Sequence, residues 1–269
     1  MSTTIITALF DINRQNFKNQ NLALKSIEDY LPWFKKTLQL NCPMVIFTEE
    51  KLKEFVLENR PKNYKTDIII QKLEEIPYYK YKDQINTIIN SREYKSKIQH
   101  PDRIECNLPE YSIIQYSKFE WLNIVSEKNP FSTNYFFWMD AGCSRFFYDF
   151  DIKKEFPSSK INSFFENNLK NKLLIQGRAD LGFFDINDKF IWKSDNLLIG
   201  TLFGCHKDFC NLLSKKINFI FENKMLKNNN LNNEQLALAL LWKTESNLFY
   251  VILNNNPKIH LPLFIAMSN

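Results

Sequence analysis

The chain has 269 residues, of which 44% are hydrophobic and 24 are Phe, enough to bury a substantial core as one large α/β domain or two small ones. Its net charge of +5 comes from interspersed Lys and Glu rather than a polybasic block, which suits anionic ligands without calling for nucleic acid. Five cysteines (Cys42, Cys106, Cys143, Cys205, Cys210) without CxxC spacing argue for reduced thiols. Neither a signal peptide nor a bilayer-spanning apolar run is present, so the expected place is the cytoplasm, with peripheral contact to the inner face of a membrane left open.

Residues 5–10 (Ile-Ile-Thr-Ala-Leu-Phe) predict a first strand that ends in Asp11-Ile-Asn-Arg14. Leu24, Ile27, Tyr30, Leu31 and Phe34 then recur at helical spacing, and Pro32 is expected to break or restart that helix. A strand over 43–49, a short helix over 51–59 and a strand over 66–71 follow. Such an alternation predicts a parallel sheet of nucleotide-binding type.

Residues 76–111 are tyrosine-rich, charged and weakly periodic, and read either as an inserted helical subdomain or as a long functional loop. A helix is expected over 112–128, with Ile113, Trp121, Leu122 and Val125 toward the sheet and Gln115 and Lys118 sharing another face. Tyr135-Phe-Phe-Trp-Met-Asp140-Ala-Gly142-Cys-Ser-Arg145 is an apolar strand that stops at a lone carboxylate. In open α/β sheets ligands collect beyond the carboxyl ends of strands, so Asp140 stands where a sheet delivers charge to a ligand; the plainer reading is a turn cap. Gly142 is expected to supply positive φ or a close approach to the backbone.

Further strands are expected over 172–177 and 196–204, an amphipathic helix over 206–225, a loop over 228–233, a helix over 234–242, a last strand over 249–253 and a tail over 254–269. The expected fold is α/β, one domain with a Rossmann-type mixed, mostly parallel sheet flanked by helices and a helical insertion. Within it, 1–75 and 112–142 form the nucleotide-binding half, 76–111 the insertion, and 143–269 the acceptor half with its tail.

No phosphate-cradling glycine loop is present, and the chain holds only five glycines. A nucleoside diphosphate would then need a metal or basic side chains. Asp140 is the candidate hard-oxygen ligand for Mn²⁺ or Mg²⁺, Lys118 and Arg145 are candidate phosphate partners, and Arg14 could reach the same crevice. His260 reads as a packed or surface residue, or as a metal ligand should the tail fold back to Asp140. Asn232-Asn233-Glu234-Gln235 reads as a helix cap, or as a carboxylate placed to meet a sugar hydroxyl.

The pattern resembles a GT-A glycosyltransferase, and more closely the HtrL/YibB-like family, including WlaTC-type proteins of bacterial surface-glycan loci. The resemblance rests on Thr7-Ala-Leu-Phe-Asp11-Ile-Asn-Arg14, Pro109-Glu-Tyr-Ser-Ile-Ile-Gln-Tyr-Ser-Lys118-Phe, Phe137-Trp-Met-Asp140-Ala-Gly142 and the Asn-Glu-Gln segment. It implies a GT-A-like domain and a hexosyltransferase-like, nucleotide-sugar-dependent activity on a glycan or lipid-linked acceptor, in surface polysaccharide or lipooligosaccharide assembly. It puts Thr7, Asp11, Arg14, Lys118, Asp140, Ala141, Gly142, Arg145, Gly200 and Gly204 at the nucleotide-sugar donor. It puts Asp140 at the metal and Glu234 near the acceptor, as catalytic base if the reaction inverts. Beside the resemblance, either His260 joins Asp140 at the ion or the enzyme dispenses with the metal and relies on Lys118 and Arg145, and Tyr111, Arg103 and Gln235 are candidate acceptor contacts. GT-A enzymes usually present Asp-x-Asp, and here Gly142 stands at the third position. A phosphoryl-transfer enzyme with an Asp nucleophile and a non-catalytic nucleotide-sugar or glycan-binding protein are the competing readings.

Overall fold

A computed structural model describes residues 2–16, 26–187, 189–254, 256 and 258–269. Leu24 of the first helical repeat and Pro257 beside His260 lie outside the described residues. The elements run β1 (Thr3–Leu9), α1 (Ile27–Leu38), β2 (Met44–Thr48), α2 (Glu50–Asn59), β3 (Thr66–Ile70), α3 (Lys82–Ile89), α4 (Arg92–Lys97) and α5 (Pro109–Lys128). They continue with β4 (Tyr135–Met139), α6 (Asn162–Asn168), β5 (Leu173–Gly177), β6 (Leu198–His206), α7 (Lys207–Ile220), α8 (Glu234–Thr244), β7 (Phe249–Leu253) and α9 (Pro262–Ser268).

The seven strands form one sheet in the order β3-β2-β1-β4-β6-β5-β7. All neighbours are parallel except the pairs β6 makes with β4 and β5. The sheet is therefore mixed and mostly parallel, as expected. β1, β2, β4 and β5 are buried along their whole length, which is why β2 and β4 read as near-continuous apolar runs rather than an alternation, while β1 also buries Thr3, Thr4 and Thr7 and β5 buries Gln176.

Side chains still alternate between the two faces. Ile6, Ala8, Phe136 and Trp138 join the core beneath α5, α7 and α8, while Ile5, Leu9, Phe137 and Met139 join the one beneath α1, α2 and α9. Residues 76–111 settle as a helical insertion, with α3 and α4 packing Ile85, Ile88, Ile89 and Tyr94 into the first of these cores. Helix α5 is buried on nearly every side, by sheet, insertion and α7, and so shows little amphipathic pattern.

Three expectations are corrected. Pro32 lies inside α1 without ending it. The helix is held around it by the Asp29 carboxylate accepting from Ser26 N–H and by buried Phe34, Thr37 and Leu38, at the loss of one backbone bond. Helix α5 starts at Pro109, three residues before the expected 112, because proline at the first helical position gives up an N–H that has no partner there anyway. The tail carries a helix, α9, whose Leu263, Phe264 and Met267 are buried.

Candidate active site

The carboxyl ends of β1, β2 and β4 and the amino end of the antiparallel β6 lie along one edge of the sheet. A cleft of about 180 Å³ opens there, lined by Leu9 to Ile12 and Arg14, by Ser26 and by Ile27 and Tyr30 of α1, by Tyr111, Ile114, Gln115 and Lys118 of α5, and by Trp138, Asp140, Ala141, Gly142 and Arg145. Four stretches of the chain, within residues 8–14, 26–30, 111–118 and 138–145, thus supply one pocket.

The turn after β4 is fixed from several sides. Asp140 N–H donates to Thr201 O at 2.9 Å, and Cys143 N–H donates back to Asp140 O at 2.9 Å. Helix α1 clamps the same turn through Thr37 Oγ1, which donates to Ala141 O at 2.9 Å, and Trp33 O, which accepts from Ser144 Oγ at 2.7 Å. Gly142 has φ −84°, so it supplies no left-handed turn. A Cβ there would meet Trp33 at an ordinary 3.6 Å, so neither conformation nor crowding requires glycine, in contrast to expectation.

Asp140 Oδ1 accepts from the Trp138 indole N–H at 2.7 Å and pairs with Lys118 Nζ at 3.0 Å. Lys118 Nζ also donates to Glu234 Oε1 at 2.9 Å and to Gly200 O at 3.1 Å. An ammonium has three N–H donors, and these three oxygens take them all. Burial works against the charged form of Lys118, but the two carboxylates outweigh it and move its pKa up, so the side chain stays cationic. Burial raises the Glu234 carboxyl, and Lys118 offsets only part of that rise.

Glu234 is 1% exposed and does not line the cleft. It stands behind Lys118, which corrects the expectation of a base that touches the acceptor. The capping reading of this segment holds: Asn233 Oδ1 accepts from Gln235 N at 3.1 Å and Leu236 N at 3.3 Å, opening α8 with Glu234 in the first turn. Gly200 is required by this packing, since a Cβ on it would collide with Glu234 Oε1.

At the cleft's other wall, Asp11 pairs with Lys51 at 2.9 Å and accepts from Asn13 N at 2.9 Å. Partial burial would raise its carboxyl, yet Lys51 and the Asn13 N–H prevail and hold it below the ordinary carboxylate value. Arg14 donates to the Tyr30 hydroxyl and lies 5.8 Å from the Tyr111 ring centroid. Arg145 is exposed and sits between the Trp33 and Phe146 rings, at 5.0 and 5.1 Å. Neither guanidinium pairs with a carboxylate among the described residues, so both offer planar forks to an anion.

Several expected site residues lie elsewhere. Thr7 is buried within β1 and does not line the cleft. Gly204 pairs with Phe137 in mid-sheet, where a Cβ would strike that ring, so its role is packing. Arg103 pairs with Glu105 at 3.1 Å and donates to Asn232 Oδ1 at 3.2 Å, tying the insertion to the entrance of α8. Gln235 is half-buried beside Gly200 and likewise outside the cleft.

His260 is also outside the cleft: its backbone N–H donates to Tyr148 and its ring leans on Phe146 at 5.9 Å. Tyr30 and Gln115 are among the lining residues that the sequence reading did not place at the site. Tyr30 holds Arg14, and Gln115 is 9% exposed with Oε1 lacking a hydrogen-bond partner among the described residues. The spacing of Gln115 three residues before Lys118 was the available signal for the second.

A family model described as a bacterial protein of unknown function, HtrL_YibB, matches residues 1–258, and the chain belongs to that family. Comparison with the curated proteins gives no match. Among solved structures, mouse xyloside xylosyltransferase 1 in its apo form is similar with a TM-score of 0.45 and 9% identity, over 92% of this chain and 84% of that one. The inositol-1-phosphate CTP transferase from T. maritima is similar with a TM-score of 0.36 and 12% identity, over 100% of this chain and 95% of that one.

Proposed function

We propose that this HtrL_YibB protein is a GT-A-like glycosyltransferase, moving a sugar from a nucleotide-sugar to a glycan or lipid-linked acceptor in surface polysaccharide or lipooligosaccharide assembly. The observation that carries the reading is the cleft at the carboxyl edge of the sheet, where Asp140 shares a pocket with two guanidiniums that have no carboxylate partner among the described residues. When the glycosidic bond to the diphosphate breaks, negative charge grows on the leaving oxygens. Preorganised Arg14 and Arg145 would meet that charge in a partly dehydrated site. Tyr30 and Tyr111 present ring surface beside Arg14, suited to a planar base or a sugar face.

The donor set fits a resident Mn²⁺ or Mg²⁺ poorly. Asp140 Oδ1 is already engaged by Lys118 and Trp138, His260 does not line the cleft, and among the described residues no group of three or more His, Cys, Asp or Glu could hold an ion. No step is therefore routed through a metal. Asp11 and Asp140 are the acids lining the cleft, so in an inverting reaction one of them, rather than Glu234, stands within reach of an acceptor hydroxyl. In a retaining reaction neither is needed as base.

No helix among the described residues is long and apolar enough to cross a membrane, so a lipid-linked acceptor would be met at the membrane surface. The test is a thermal-shift panel of nucleoside diphosphates and their sugars. The reading expects one nucleotide class to stabilise the wild type and Arg145→Ala to reduce that shift. No stabilisation by any member would overturn it.

A further inference from the structure

The ammonium of Lys118 sits in a cage of three oxygens: Asp140 Oδ1 at 3.0 Å, Glu234 Oε1 at 2.9 Å and Gly200 O at 3.1 Å. Two carboxylates and a carbonyl are the oxygen donors that hard divalent cations prefer. The chain builds this cage at some cost. Gly200 must lack a side chain to admit Glu234, Lys118 is 5% exposed, and the second oxygen of Glu234 is buried without a hydrogen-bond partner among the described residues. A carboxylate 1% exposed is stable only beside a compensating charge. Lys118 is that charge, and with all three N–H donors engaged it has none left for a phosphate.

We propose that Lys118 is a built-in cation that takes the place of a divalent metal at Asp140, and that its three-oxygen cage is a latent divalent-cation site closed by the lysine. Lys118 is thereby a positioning residue: it neutralises and orients Asp140, leaving diphosphate charge to Arg14 and Arg145. The second half of the inference stands on the cage alone; the first rests on the nucleotide-sugar reading.

The proposal is tested by titrating Mn²⁺ into the wild type, Lys118→Ala and Lys118→Ala/Glu234→Gln, followed by the loss of the free-ion paramagnetic resonance signal. Removing a positive charge about 3 Å from the cage oxygens should tighten Mn²⁺ binding by at least about tenfold in Lys118→Ala. The double variant, one acid short, should lose most of that gain. In parallel, the wild type's affinity for its nucleoside diphosphate should be the same in EDTA and in Mn²⁺. Wild-type Mn²⁺ binding as tight as the single variant's, or equal binding in all three proteins, would overturn the latent site, and diphosphate binding lost in EDTA would overturn the replacement. Should Lys118→Ala fail to fold, Lys118→Met, which removes the charge and keeps most of the side-chain volume, takes its place in the Mn²⁺ titration; the EDTA comparison is made on the wild type alone, and a metal requirement there sinks the proposal. The Mn²⁺ titration needs no nucleotide, so a mistaken donor class leaves its outcome readable.

Discussion

Lys118 and Glu234, 116 residues apart in the chain, meet at 2.9 Å in the interior, and the cleft sees only the lysine. This pair explains why α5 and α8 arrive at the same end of the sheet with a charge each. Breaking a buried ion pair from one side leaves an uncompensated charge, which costs about 3–5 kcal/mol. Glu234→Ala leaves buried Lys118 with Asp140 as its remaining carboxylate, so it is expected to destabilise the protein in denaturant unfolding by a part of that amount. Lys118→Met/Glu234→Ala should recover a large part of it. If Glu234 were instead a solvent-facing base, its loss would cut turnover and leave unfolding unchanged.

Gly200 and Gly204 separate site from scaffold. A Cβ at Gly200 collides with Glu234 Oε1, whereas one at Gly204 collides with Phe137. Overpacking of this kind costs about 1–3 kcal/mol. Both Gly→Ala variants should melt earlier. Only Gly200→Ala should also lower turnover per folded molecule, measured at a temperature where both remain folded.

Arg145 and His260 give opposite expectations despite both touching Phe146. Hydrogen bonds to charged groups contribute about 1.5–3 kcal/mol, so Arg145→Ala should weaken nucleoside diphosphate binding by about ten- to a hundredfold. Because Arg145 is exposed, stability should hold. His260→Ala should leave calorimetric affinity unchanged; a loss equal to that of Arg145→Ala would restore His260 to the site.

Asp11 sets an acid-side dependence. Its carboxyl is held below the ordinary value by Lys51 and Asn13 against the pull of burial, so the folded chain binds its proton more weakly than the unfolded chain. The stability it adds is present above the unfolded value of about 4 and fades as pH falls through the folded pKa. The difference in unfolding free energy between wild type and Asp11→Asn should accordingly be constant near neutrality and shrink below about pH 4. A difference that grew in acid would contradict the assignment.

Much of the scaffold was legible because full burial writes strands as unbroken apolar runs, as in the five residues before Asp140. The direction of β6 was not, since an antiparallel strand buried on both faces carries the same composition as a parallel one. Asn233 as a cap was legible because its partners lie two and three residues away. The partner of Glu234 was not, because nothing local marks a pairing across 116 positions. His260 suggested itself by residue type alone, and its tail instead packs Leu261, Leu263 and Phe264 into the second core and leaves the ring at the Phe146 edge.

The measurement closest to the central claim is release of nucleoside diphosphate from a panel of nucleotide-sugars, comparing wild type with Asp140→Asn and Arg14→Ala. One nucleotide-sugar should be turned over by the wild type, with release falling by at least about a hundredfold in each variant while the fold is retained. Turnover of none of them, or release undiminished in both variants, would contradict a transferase that works from this cleft.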